Sequence, residues 1–168
     1  MSLDPILNAS LVIQLHVIAA LCAVIVGPLV LLRRSRDAWH KRVGYVWVIT
    51  MAGTALSSFG ILEAPVLGPL SPIHALSFFT LLSLWHGINA ARQGRIAAHQ
   101  KEMRGLYFWA IGIAGLFTFL PGRRMNAALF GDASTFGFLV MAGLIGTGLV
   151  YYYYANHKIK GESKLVSR

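Results

Sequence analysis

Histidine is the side chain with most chemistry to offer in this chain, and six of them occur, at His16, His40, His74, His86, His99 and His157. A neutral imidazole carries one donor and one acceptor nitrogen, and it ligates haem iron, zinc and copper. His16 and His74 each lie inside a long apolar run, where a polar group is costly unless it is partnered or put to use. Their surroundings match. His16 precedes Arg33 by seventeen positions and His40 by twenty-four, while His74 precedes Arg92 by eighteen and His99 by twenty-five.

Two imidazoles offered from separate helices at equal depth suit a six-coordinate b-type haem, whose iron takes one axial nitrogen from each side. They also suit half of a copper or zinc site, with Met125 and water as further ligands. Arg123 and Arg124, after Pro121-Gly122, are placed to pair with haem propionates or another anion. His86 follows His74 by twelve positions, about 18 Å deeper along a helix and about 120° around it. An inner cofactor or metal site would join His86 to His40 or His99. The alternative for His16 and His74 is packing, with each ring bonded to a neighbouring helix or to headgroups. For His40 and His99, which stand among Lys and Arg, the alternative is contact with a helix start or headgroups. His157, in the basic tail, is solvated.

The elements that position these residues follow from composition. The chain is 56% hydrophobic and 12% charged, about half the charge of an ordinary soluble domain. Its 168 residues make one domain, too few to bury this much apolar surface in water. Five uncharged stretches, roughly 6–32, 43–62, 72–91, 105–120 and 134–155, approach the ~20 apolar residues that a transmembrane helix needs. The fourth is short and is expected to begin near Met103. Pro28 should kink the first, with small neighbours or water relieving the lost hydrogen bond.

Charge sets the orientation. Thirteen of the fifteen Lys and Arg residues fall in the first connection (Arg33, Arg34, Arg36, Lys41, Arg42), the third (Arg92, Arg95, Lys101, Arg104) and the tail (Lys158, Lys160, Lys164, Arg168). Only Arg123 and Arg124 lie on the other side. The positive-inside rule puts the N-terminus outside and the C-terminus in the cytoplasm. Trp39, Tyr45 and Trp47, then Tyr107, Phe108 and Trp109, then Tyr151 to Tyr154 flank the basic segments as an interfacial belt. The net charge of +9 thus points to anionic lipid headgroups and away from nucleic acid. The first ten residues hold no Lys or Arg, unlike a secretory signal, so the first helix is expected to stay in the mature protein. Cys22 has no disulfide partner.

The histidine spacings belong to a longer match. His40-Lys-Arg-Val-Gly44-Tyr45-Val-Trp47 meets His99-Gln-Lys-Glu-Met-Arg-Gly105-Leu-Tyr107-Phe-Trp109, and Ile49, Ala52 and Gly53 meet Ile111, Ala114 and Gly115. A duplicated hairpin is expected, with one copy over about 10–62 and the other over about 70–121. An extra helix (134–155) and a cytoplasmic tail (156–168) follow. Both copies run in the same direction, so the repeat axis lies along the membrane normal. The fold class expected is an all-α bundle of five transmembrane helices. Gly53, Ser57, Ser58 and Gly60 on helix two, with Gly112 and Gly115 on helix four, permit close helix approach or leave room for a flat cofactor. No phosphate-binding Gly loop, HExxH, CxxC or nucleophile elbow occurs, so hydrolase and kinase chemistry have no support. Glu63 and Asp132 sit at outer helix ends with no sign of a carboxylate pair. A transporter would need more room for a gated midplane site, unless the chain forms an oligomer.

His16, Gly27, His40-x-x-x-Gly44-Tyr45, His74, His99, Met103 and Pro121-Gly122-Arg123 together resemble a family of small bacterial predicted membrane proteins of unknown function, over about His16 to Gly131. The resemblance implies a bacterial inner membrane and a histidine-dependent role, and it implies no reaction. The functions in view are a haem-carrying electron-transfer protein, an accessory or assembly subunit of a respiratory or photosynthetic complex, and a copper or zinc handling protein. Their partners would be lipid with a redox protein or other membrane subunits.

Overall fold

A 21-residue helix of Leu, Val, Ile and Ala needs no capping side chain when its surroundings are apolar, and α2 (Leu11–Leu31) has none: Ser10 precedes it without a side-chain cap bond. The computed structural model describes residues 2–33, 35–61, 72–131, 135–143 and 146. Ahead of α2 stands one helical turn, α1 (Asp4–Leu7). After it come α3 (Ala38–Ser58), α4 (Pro72–Arg92) and α5 (Ile96–Leu106). A π-helical turn (Tyr107–Ile111) joins α5 to α6 (Gly112–Thr118), and α7 (Arg124–Phe130) follows. Residues 136–143 are helical as well, and the described residues contain no strand. Most of the expected fifth span and the whole basic tail lie outside the described residues, as do Arg34, Glu63 and Asp132.

The helix limits depart from the apolar runs where local chemistry intervenes. α3 begins at Ala38, ahead of the uncharged run, because the Asp37 carboxylate accepts the His40 backbone N–H at 2.9 Å and caps it. The helix leading into the fourth expected span starts at Ile96, ahead of Met103. Ile96, His99, Met103 and Leu106 recur at helical spacing, so the polar connection is itself helical and carries His99 on α5.

The chain divides into two compact units, Asp4–Gly115 and a second built from Met1–Leu3 with Leu116–Arg168. In the first, α2 packs along α3, α3 along α4 and α4 along α5, while α5 returns to α2. This cyclic order puts α2 and α4 on one diagonal of a four-helix arrangement and α3 and α5 on the other.

Gly27-Pro28 organises the core. Proline has no N–H, so the carbonyl four residues back, on Val24, loses its helical donor. The Tyr107 hydroxyl takes its place and donates to the Val24 carbonyl at 3.1 Å. The Trp47 indole N–H donates to the adjoining Ala23 carbonyl at 3.1 Å. Gly27 makes this possible, because a Cβ there would run into the Tyr107 ring and meet the Trp47 nitrogen at 3.0 Å. Trp47, 1% exposed, therefore leaves the interfacial belt and joins Ala23, Val30, Met51, Leu84, Met103 and Leu106 in the core. Trp109, its match in the repeat, is 72% exposed, so the two tryptophans share no packing role.

Polarity is distributed in a way that suits lipid. Leu15, Ile18, Ile25, Ile49, Phe78, Phe79 and Phe108 face outward, while Ser58, His74, Ser77 and Thr80 are buried. Buried hydroxyls bond back to their own helices: Thr54 to the Thr50 carbonyl at 2.8 Å, Ser58 to Ala55 at 2.8 Å, Thr80 to Leu76 at 2.8 Å. Such bonds leave few polar groups unsatisfied where water is absent. By length and composition, α2 is the one described helix that qualifies as a membrane span. α3 is equally long but opens on Lys41 and Arg42 and is laced with hydroxyls and glycines.

In the second unit, Asn126 is fully buried and donates its amide to the Phe119 carbonyl at 2.6 Å. Gly137 lies against the same two groups, with no room for a Cβ.

Candidate functional site

The C-terminal end of α3 gathers the two histidines singled out by the sequence. The Ser57 hydroxyl stands 2.7 Å from the Gly53 carbonyl and 3.1 Å from the Thr54 carbonyl, and donation to either commits its one proton. The Ser57 oxygen then acts as acceptor for His16, whose Nδ1 lies 2.9 Å away. By this assignment Nδ1 of His16 carries the proton and Nε2 keeps its lone pair, as an axial ligand requires. His74, 5% exposed, is stacked on Phe59 at the α3 C-terminus, with ring centroids 5.6 Å apart and planes 23° apart. Below it, Ser58 and Ser77 share a hydrogen bond of 2.6 Å that ties α3 to α4. The two histidines thus stand on the diagonal helices α2 and α4, both against one end of α3.

His40 and His99 occupy the other diagonal. His40 stands in the first turn of α3 and His99 in α5. His99 donates from Nδ1 to the Gly87 carbonyl at 2.9 Å, which leaves its Nε2 as the lone-pair nitrogen. Nδ1 of His40 is buried and takes no hydrogen bond among the described residues. Burial, and then the charge that His99 would carry, push the His40 imidazole below its ordinary value, with Asp37 opposing. Beside it the Arg33 side chain first, and then the His40 backbone N–H, hold the Asp37 carboxyl below the usual carboxylate range. His86 stands apart from this pair. It is exposed, packs on Trp85 with centroids 4.9 Å apart, and lines a groove between α4 and α5.

The model of a family described as "Predicted membrane protein (DUF2306)", whose function is unknown, matches residues 13–144. This chain belongs to that family. The match spans His16, His40, His74, His86 and His99, together with Arg123 and Arg124. No curated protein and no solved structure matches the chain.

Other parts of this family member bear on what the histidines can hold. Among the described residues, no three of His, Cys, Asp and Glu converge as metal ligands, so zinc or copper would find too few protein donors there. Arg123, in the second unit, lays its guanidinium over the Phe117 ring at 4.0 Å, and Arg124 opens α7. Two cavities among the described residues lie along α4 and α5, and neither is lined by His16 or His74. A Cβ at Gly112 or Gly115 would meet no atom of the described residues within 4 Å. Sequence reasoning passed over Ser57 as a histidine partner and Glu102 as a groove carboxylate. Ser57 was already marked as small, and Glu102 is one of six acidic residues in the chain.

Proposed function

We propose that this chain is a multi-pass protein of the bacterial inner membrane that carries b-type haem between His16 and His74 for electron transfer. One observation carries the reading: histidines matched in sequence stand on diagonal helices, at the same end of α3, and His16 presents Nε2 through its bond to Ser57. In the proposed topology the N-terminus is outside, five helices span the bilayer, and the basic segments contact cytoplasmic headgroups. His16 and His74 would hold the haem, and Ser57 would fix the His16 tautomer. Bound haem would supply a one-electron Fe(III)/Fe(II) couple, and apolar helices would exclude water from it. Protein produced with ample haem precursor should show a Soret band and reducible α and β bands, lost in His16→Ala and in His74→Ala but kept in His86→Ala. Spectra of a haem-free protein, or bands that survive both substitutions, refute the assignment.

A second reading is favoured by the exposed aromatics Phe78, Phe79, Trp85, Phe108 and Trp109: a non-catalytic accessory subunit that sets these rings against partner helices. Mild-detergent purification from native membranes then yields stoichiometric companions, whereas a self-sufficient haem carrier migrates alone.

A further inference from the structure

Among the described residues, the α4/α5 groove brings polar groups and aromatic rings together along one channel. Its inner end is a cavity of about 370 Å³ lined by Trp85, His86, Asn89, Gln93, Arg95 and Glu102. Glu102 also borders a second cavity of about 220 Å³, which runs on between Leu76, Phe79, Leu106 and Trp109. The larger volume lies within the ~300–1,000 Å³ of small-molecule sites. From Leu76 to Gln93 the groove follows α4 for about 25 Å, polar near the basic connection and apolar toward the opposite end.

The head end has a definite chemistry. Arg95 donates from Nε to the Gln93 side-chain oxygen at 2.9 Å, which orients the Gln93 amide and leaves its NH2 group as a donor. Asn89 and the remaining guanidinium N–H groups add further donors. Glu102 is half-buried and forms no ion pair among the described residues, so it stands as an acceptor. Trp85 and His86, tilted 45° to one another with ring centroids 4.9 Å apart, line the same cavity. An anionic phosphate would meet Glu102 as a like charge. A neutral flat ring with carbonyl oxygens at one edge and, when reduced, hydroxyls to donate has no such conflict.

We propose that this groove binds an isoprenoid quinone, with its ring at Trp85, His86 and Glu102 and its tail along Phe79, Leu106 and Trp109. Trp85 and Trp109 stand largely exposed, which lets the ligand enter sideways from the bilayer. The inference needs the chain to lie in a membrane but needs no haem, and it is tested on haem-free protein.

Full-length protein in nanodiscs of zwitterionic lipid is titrated with decylubiquinone while tryptophan emission is followed. A saturable quench is expected, lost in Trp85→Leu, kept in Trp39→Phe, and weaker by about tenfold in Glu102→Ala, the scale of one lost hydrogen bond to a charged group. Solvent extraction of protein purified from native membranes supplies a readout that is independent of fluorescence. Quinone should exceed the lipid background in the wild type and fall to it in Trp85→Leu. A quench that rises linearly and equally in wild type and Glu102→Ala overturns the proposal. So does a saturable quench abolished by phosphatidylglycerol nanodiscs, which would assign the groove to an anionic lipid.

Discussion

Replacing Ser57 by alanine removes the acceptor that receives Nδ1–H of His16 at 2.9 Å. The second bond of that hydroxyl, to the Gly53 carbonyl at 2.7 Å, is a local back-bond whose loss leaves the helix unharmed. The cost is therefore the half-buried imidazole N–H left without its partner, about 1 kcal/mol at the low end of ~1–3 kcal/mol for such groups. In a chain of this size that lowers the melting temperature by about 2–4 °C. Haem affinity should fall further, by ~10–100-fold, because the partner on the far side of a ligating histidine fixes both tautomer and orientation. Far-UV circular dichroism melts of haem-free protein measure the first effect, and haem titration followed by absorbance measures the second. Ser57→Thr keeps the hydroxyl and should restore both. If Ser57→Ala binds haem as tightly as the wild type while His16→Ala binds none, the hydrogen bond plays no part in positioning the ligand and the tautomer assignment is wrong.

Three further outcomes follow from the packing and the charges. Gly27→Ala forces a methyl into the Tyr107 ring, which its bond to Val24 holds in place; the cost should be ~1–3 kcal/mol, and a double-mutant cycle should show it shrinking in a Tyr107→Ala background. The His40 imidazole is held below its ordinary value of 6.5, so the unfolded chain takes up a proton first as pH falls through 6.5, and stability drops below that point. Asp37, held below 3.8, adds a second loss as pH falls past 3.8, where its unfolded form protonates first. Melts across pH in His40→Gln should lack the upper part of this slope and keep the lower. Asn126→Ala strips the donor from the Phe119 carbonyl in a fully buried position and should destabilise the second unit by ~1–3 kcal/mol, read by proteolysis or hydrogen exchange over residues 116–131.

Helical class and the placement of α2 and α4 were legible because uninterrupted apolar runs leave few alternatives: the Pro72 start of α4 falls where the run begins, and its end differs by a single residue. The start of α3 was not legible from hydropathy, since a capping bond from Asp37 set it five residues before Val43. The π-helical turn had left a trace. Gly105 and Tyr107 are separated by one residue more than Gly44 and Tyr45, and a π-turn absorbs an inserted residue without ending the helix. Trp47 misled because a tryptophan beside a basic loop reads the same whether its ring meets headgroups or donates to the Ala23 carbonyl of a packed neighbouring helix. Its true partners, Ala23 and Tyr107, are remote in sequence. The histidines were visible by type and spacing. Their hydrogen-bond partners were not, because Ser57 and Gly87 differ in nothing local from their neighbours.

The most direct measurement is haem stoichiometry by the pyridine haemochrome assay, on protein purified from cells supplied with haem precursor. A haem carried between His16 and His74 predicts one b-type haem per chain, low-spin in both redox states, and none in either histidine-to-alanine variant. Purified, folded wild-type protein that contains no haem and takes up none when it is added would contradict the account.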